Sequence, residues 1–173
     1  MTGTHRFTRF PERAQIRQYI ISHPITIVST SNIFLEKGGE TPLEESVKKQ
    51  LEGEVRFMRA FAYFEMMKRY GGVPLVDVVI DPFQPIEEKY QVRATEEAIA
   101  NFIDADLTTA IGLLPDAATP KGRINKWSAY ALNARAMLRA ATIAKYGTVG
   151  LDGLVGIPAA KANAYYAKAA AAA

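Results

Sequence analysis

The run from Glu54 to Val76, EVRFMRAFAYFEMMKRYGGVPLV, most narrows what this chain can fold into. Its first part reads as one long helix, and its end is enforced: Gly71-Gly72 and then Pro74 stop the ladder. Glycine enters the left-handed conformation without a Cβ clash, and proline has no N–H with which to continue. Lys68 and Arg69 sit in the last turn, at the negative end of the helix dipole. Beyond the stop, Val73 onward is extended.

Upstream, Thr41-Pro42-Leu43-Glu44 has the order of a helix start: threonine cap, proline at the first position, and glutamate three residues after the cap. The stripe Leu43, Val47, Leu51, Val55, Met58, Ala62 and Met66, at steps of three and four, is the expected buried face. Glu52 with Arg56 and Glu65 with Arg69 are i,i+4 pairs worth only about 0.2–0.5 kcal/mol each. An earlier apolar stretch, Ile16 to Leu35, predicts a helix that ends near Lys37, with Pro24 as a break and Ser22 able to cap the helical stretch beyond it.

From Val73 to Gln91 helical period is absent, and Pro74, Pro82 and Pro85 predict an irregular loop with at most a short strand pair near 73–80. Thr95 caps the next helix, whose stripe is Ile99, Phe102, Ile103, Leu107, Ala110, Ile111 and Leu114, and Pro115 ends it. Asn125 caps another, with Tyr130, Ala131, Ala134, Leu138 and Ala141 as apolar positions and a stop at Tyr146-Gly147. A fifth begins near Pro158 and runs into terminal alanines.

Arg59-Ala60 and Tyr70-Gly71 recur as Arg135-Ala136 and Tyr146-Gly147 at one shared offset. That offset is a little over two tetratricopeptide periods of about 34 residues. The fold expected is therefore all-α, built of tetratricopeptide-like helical hairpins, with the helices ending at Tyr70 and Tyr146 in equivalent places and a long irregular loop around 73–92.

Composition sets further limits. At 173 residues, 49% hydrophobic and 23% charged, the chain suits one domain that buries roughly 70% of its unfolded surface. A net charge of +3 is too small to indicate a nucleic-acid partner. The basic run Arg6, Arg9, Arg13 and Arg17 is interrupted by Pro11 and reads as a solvated face. Without cysteine there are no disulfides, thiolate metal sites or cysteine nucleophiles. His5 and His23 lie far apart, so no metal and no cofactor are expected.

No nucleophile, base and orienter assemble from the sequence, and a catalyst is not expected. Glu96 and Glu97 are explained by a helix start. Asp104 and Asp106 point different ways on a helix, which excludes a paired acid–base role. Asp106 is expected to meet Arg59 or Arg123 between helices, because a carboxylate on an apolar face needs a partner. Trp127 is expected in core or hairpin packing. Phe83 and Tyr90, in the Pro-rich loop, are the candidates for ligand contact, since binding residues concentrate on loops held by a rigid scaffold.

The helix E-x-R-F-x-R-A-x-x-Y-F followed by Y-G-G-V-P-L-V, then Arg93-x-Thr95-Glu96, Asp106-Leu107, Leu114-Pro115, Gly122-Arg123 and Ala131-Leu132-x-Ala134-Arg135, resembles in order and spacing the SusD/RagB family of Bacteroidetes. The likeness covers about Pro42 to Gly147. Within it Glu54, Arg56, Arg59, Tyr70, Gly71, Gly72, Pro74, Asp106 and Arg123 are structural motif residues. The resemblance implies a cell-surface lipoprotein of the outer membrane that binds oligosaccharides or peptides for import and works as a lid on a SusC-like TonB-dependent transporter. Family members are considerably longer and carry a lipidated cysteine, so residues 1–173 are expected to be a single SusD-like N-terminal helical domain, a fragment of a longer chain whose lipid anchor lies outside it. The alternative reading is a tetratricopeptide-like adaptor that binds only proteins.

Overall fold

In the computed structural model the described residues are 13–81, 83–85, 92–116 and 122–173, with side chains from Pro24 onward. They form five α-helices: α1 (Arg13–Lys37), α2 (Glu45–Tyr70), α3 (Glu96–Leu113), α4 (Lys126–Tyr146) and α5 (Ala162–Ala171). Each packs chiefly on its neighbours in sequence, as hairpins in series do. Among the described residues the only extended pairing consists of isolated bridges, Pro74 with Arg93 and Gly150 with Val155. The expected strand near 73–80 is thus a single contact rather than a ladder.

The core lies along α2, α3 and α4, where Tyr63, Met67, Ile99, Ile103, Leu107 and Met137 are fully buried. Ala60, Ala100, Ala110, Ala136 and Ala140 are inaccessible to solvent, and their small side chains let the helix axes approach closely. The α3 stripe is found as expected, with Ile99, Ile103, Leu107, Ala110 and Leu114 buried and Phe102 and Ile111 partly so. Thr95 Oγ1 accepts from the Ala98 N–H and Asn125 Oδ1 from the Ser128 N–H, so both expected caps form.

Four expectations are corrected. Pro24 lies inside α1 rather than breaking it; it removes one ladder bond, and the helix continues because Val28, Ser31 and Asn32 form the buried face toward α2. The capping box at Thr41 is absent: its hydroxyl donates instead to the Gly38 carbonyl, closing the turn Gly38–Glu40, and Glu44 stands before α2 with no side-chain cap.

The first half of the α2 stripe is open, with Leu43, Val47 and Met58 exposed. The end of α3 lies over Gly53, where Leu113 and Leu114 come closest, so the start of α2 with Leu43 and Val47 outruns α3, while Met58 lines an open groove against α1 with Ile27 and Phe34. In α4 the buried face is Ala129, Leu132, Asn133, Ala136, Met137, Ala140, Ala141 and Ala144, rotated from the one expected. Ala131 and Leu138 are exposed because both α3 and α5 press on the other side.

Candidate functional site

Arg59 of α2 and Asp106 of α3 are buried, 5% and 3% exposed. Arg59 Nε donates to Oδ2 at 2.7 Å and Nη2 to Oδ1 at 2.8 Å. Arg56 adds a third donor at 3.2 Å while its Nε holds Glu52. The third arm of the Arg59 guanidinium, Nη1, donates to Asn32 Oδ1 of α1 at 2.7 Å. The ring of Phe102 stands 4.9 Å from the guanidinium carbon, on a face that favours cations. Of the two partners open to Asp106, Arg59 is therefore the one it takes; Arg123 pairs with Glu54 at 2.9 and 2.7 Å. That hydrogen bond and the charge of Glu54 hold the Arg123 pKa above its ordinary value.

The charged centre reaches out to the segment after α2. Asn32, oriented by Arg59, donates through Nδ2 to the carbonyls of Val76 and Val78, each at 3.0 Å. Tyr63 lies one turn beyond Arg59 on α2, and its hydroxyl accepts from the Val76 N–H at 2.8 Å and donates to the Val76 carbonyl at 3.2 Å. Burial pushes the Tyr63 pKa up, partly offset by its bond to Val76 and the charge of Arg59. An extended segment with no sheet to join thus has its polar backbone satisfied by side chains. Beside it an apolar cavity of about 290 Å³ is lined by Ile25, Val28, Met66, Val73, Pro74 and Ile80.

The glycine pair sets the other end of this clamp. Gly71 takes φ 68°, and a Cβ on Gly72 would stand 2.0 Å from the Ala94 carbonyl oxygen. The Gly72 N–H donates to the Leu154 carbonyl at 2.7 Å, docking the turn after α4 on the turn after α2. Arg93 closes the far side: Nε and Nη2 donate to the Gly72 carbonyl, and Nη2 also to that of Tyr70. Glu96 is more than a helix-start residue, since it is buried and accepts from the Gly156 N–H at 2.7 Å.

The nine expected motif residues fall into two sets, paired charges and a turn. Glu54, Arg56, Arg59, Asp106 and Arg123 supply paired charges. Tyr70, Gly71, Gly72 and Pro74 shape the turn and its bridge to Arg93. Asn32 bonds the charged set, Tyr63 the segment after the turn and Arg93 the turn itself, and sequence reasoning misses these roles. Tyr63 sits one turn from Arg59 inside the quoted helix, and that spacing is the available signal; Asn32 carries none.

Phe83 is 93% exposed. Its N–H is held by Asp81 Oδ1 at 2.8 Å. Tyr90 lies outside the described residues. Trp127 corrects the core expectation: it is 62% exposed, with the Tyr130 ring at 6.0 Å and tilted by 31°. Among the described residues no group of three or more His, Asp or Glu side chains is placed to hold a metal ion, and no helix is long and apolar enough to cross a membrane.

Hairpins in series around a buried charge clamp that roots an external loop define a helical scaffold protein. The chain belongs to the SusD-like family described as starch-binding associating with outer membrane, whose model matches residues 12–138. A SusD-like protein of Bacteroides ovatus is 29% identical over 118 residues, 66% of this chain and 20% of that protein. A SusD-like protein of Bacteroides fragilis has a solved structure with 38% identity and a TM-score of 0.65, over 74% of this chain and 25% of its own. A laminarin-binding SusD-like protein is 26% identical with a TM-score of 0.64, over 74% and 29%. The chain thus spans about a fifth to under a third of the relatives it matches.

Proposed function

We propose that this chain is the helical scaffold of a non-catalytic, cell-surface oligosaccharide-binding protein, lipid-anchored in its full length, that hands its ligand to a SusC-like TonB-dependent transporter of the outer membrane. One observation carries the reading: the 73–80 segment is rooted in the buried Arg59–Asp106 pair through Asn32 and Tyr63, and it leads to the exposed ring of Phe83. A rigid scaffold that displays an aromatic close to a rooted segment suits stacking on a sugar ring. The family's description and the laminarin-binding relative favour a glycan over a peptide.

Two measurements test this. Calorimetry with laminarin- and starch-derived oligosaccharides should show binding that Phe83→Ala weakens several-fold, whereas heat only with peptides would move the ligand class. The full-length protein should co-purify with a TonB-dependent barrel from detergent-solubilised outer membranes, and Phe83→Ala should leave that association intact. A cytosolic protein with no barrel would favour the adaptor reading.

A further inference from the structure

Asn32 of α1, 3% exposed, touches the buried charge pair with one side of its amide and the segment after α2 with the other. Arg59 Nη1 can only donate, and it donates to Oδ1 at 2.7 Å. That bond decides which way the planar amide faces. Both Nδ2 hydrogens are turned toward the carbonyls of Val76 and Val78, each at 3.0 Å. One acceptor and two donors on a single plane are an amide's inventory; an aspartate of the same size accepts but, ionised, has nothing to donate.

Tyr63 bonds Val76 alone, which leaves the chain free to swing about that residue. Asn32 adds Val78, and two anchored carbonyls fix the direction in which the chain runs on. Ser29 and Ile33, on either side of Asn32 in α1, border Val76, Val78, Val79 and Ile80, so the segment lies along this helix. Asp81 then closes a turn: its Oδ1 accepts from the Phe83 N–H at 2.8 Å and its carbonyl from the Gln84 N–H at 3.2 Å. Only Val79 and Ile80 separate the residue that Asn32 holds from the residue that holds Phe83.

We propose that Asn32 is a positioning residue for glycan binding: its amide, oriented by Arg59, sets the direction in which the 76–81 segment leaves the helices and so where the Phe83 ring is presented. The proposal rests on the oligosaccharide reading above and assigns to a buried residue, remote from the sugar, a share of the affinity. A ring on a chain that swings must be ordered when the ligand arrives, and that ordering weakens binding; a ring already placed avoids the loss.

Calorimetry of the full-length protein with laminarihexaose and maltohexaose tests this through a double-mutant cycle. Asn32→Asp keeps the acceptor for Arg59 and removes both donors to the segment. With helical circular dichroism preserved, it should weaken the binding of whichever sugar the native protein takes by about fivefold, the worth of about one hydrogen bond. In the Phe83→Ala background the same change should cost nothing further, since no ring is left to place. A role confined to satisfying Arg59 would leave the affinity of Asn32→Asp native, and a role elsewhere would give the same loss with and without the Phe83 ring. Either result overturns the positioning role while the oligosaccharide reading stands. If the native protein binds neither sugar, both fall. Should Asn32→Asp not fold, Asn32→Ser enters the cycle in its place and is read the same way, because its one hydroxyl hydrogen serves at most one carbonyl and brings no charge.

Discussion

Arg59 and Asp106 face each other across α2 and α3 as a bidentate pair, Nε to Oδ2 at 2.7 Å and Nη2 to Oδ1 at 2.8 Å, nearly sealed from water. Both carboxylate oxygens are engaged, Oδ1 by Arg56 as well, and the guanidinium spends its last arm on Asn32. A pair of this kind contributes little net stability against an apolar replacement of both partners, but losing one partner strands a buried charge.

Asp106→Ala is therefore expected to cost about 3–5 kcal/mol in urea unfolding. Glu54→Gln, which weakens the exposed pair with Arg123, should shift the midpoint far less. Equal shifts for the two variants would remove the distinction between a buried clamp and a surface ion pair.

Tyr63→Phe removes the hydroxyl that both accepts from and donates to Val76 while keeping the ring that packs on Phe102. A loss of about 1 kcal/mol is expected. Hydrogen exchange should quicken at the Val76 amide more than at Ile103 or Met137, since the change frees the segment and leaves the core. Uniform acceleration would show that Tyr63 acts on the whole fold instead.

The turn after α2 permits a comparison between glycines. A Cβ on Gly72 meets the Ala94 carbonyl oxygen at 2.0 Å, whereas one on Gly39 meets nothing within 4 Å. Backbone cannot yield as a side-chain tip does, so Gly72→Ala should lower stability by about 2 kcal/mol or more. Gly39→Ala should change it little. Thermal unfolding of the two variants side by side decides the point.

Much of the helical frame is legible because the physics that forms it is local. Thr95 and Asn125 declare helix starts through hydroxyl and amide oxygens placed for the third N–H beyond, and Gly71 declares an end by its left-handed turn. The repeated Tyr-Gly terminus also has a common basis: Gly71 donates to the Met67 carbonyl and Gly147 to that of Ile143. The chain then leaves differently, at φ 68° in one and −85° in the other, a divergence that no local rule dictates. Where burial departs from the sequence pattern, the cause is tertiary. Periodicity gives an apolar face but not how far the neighbouring helix extends, so it places Leu43 and Val47 inside, where α3 does not reach. Asn32 cannot be found at all from spacing, because its three partners, Arg59, Val76 and Val78, meet it only in three dimensions.

Alkaline pH should unfold the protein through α5. Tyr165 is buried and donates to Asn101 Oδ1 at 2.8 Å; burial first, then the charges of Glu97 and Asp104, push its pKa up to about 12 from the ordinary 10. Between those values the unfolded chain releases a proton that the folded chain keeps, so the folded state binds more protons and stability falls as pH rises. The contribution of Tyr165 is whole below about pH 10 and is lost as pH climbs through about 12. Tyr63 is shifted in the same direction and adds to the slope. Unfolding midpoints in urea, taken across this range and paired with tyrosinate absorbance, should decline for the native chain and decline less steeply for Tyr165→Phe. Identical slopes for the two proteins would mean that ionisation elsewhere governs the alkaline limit.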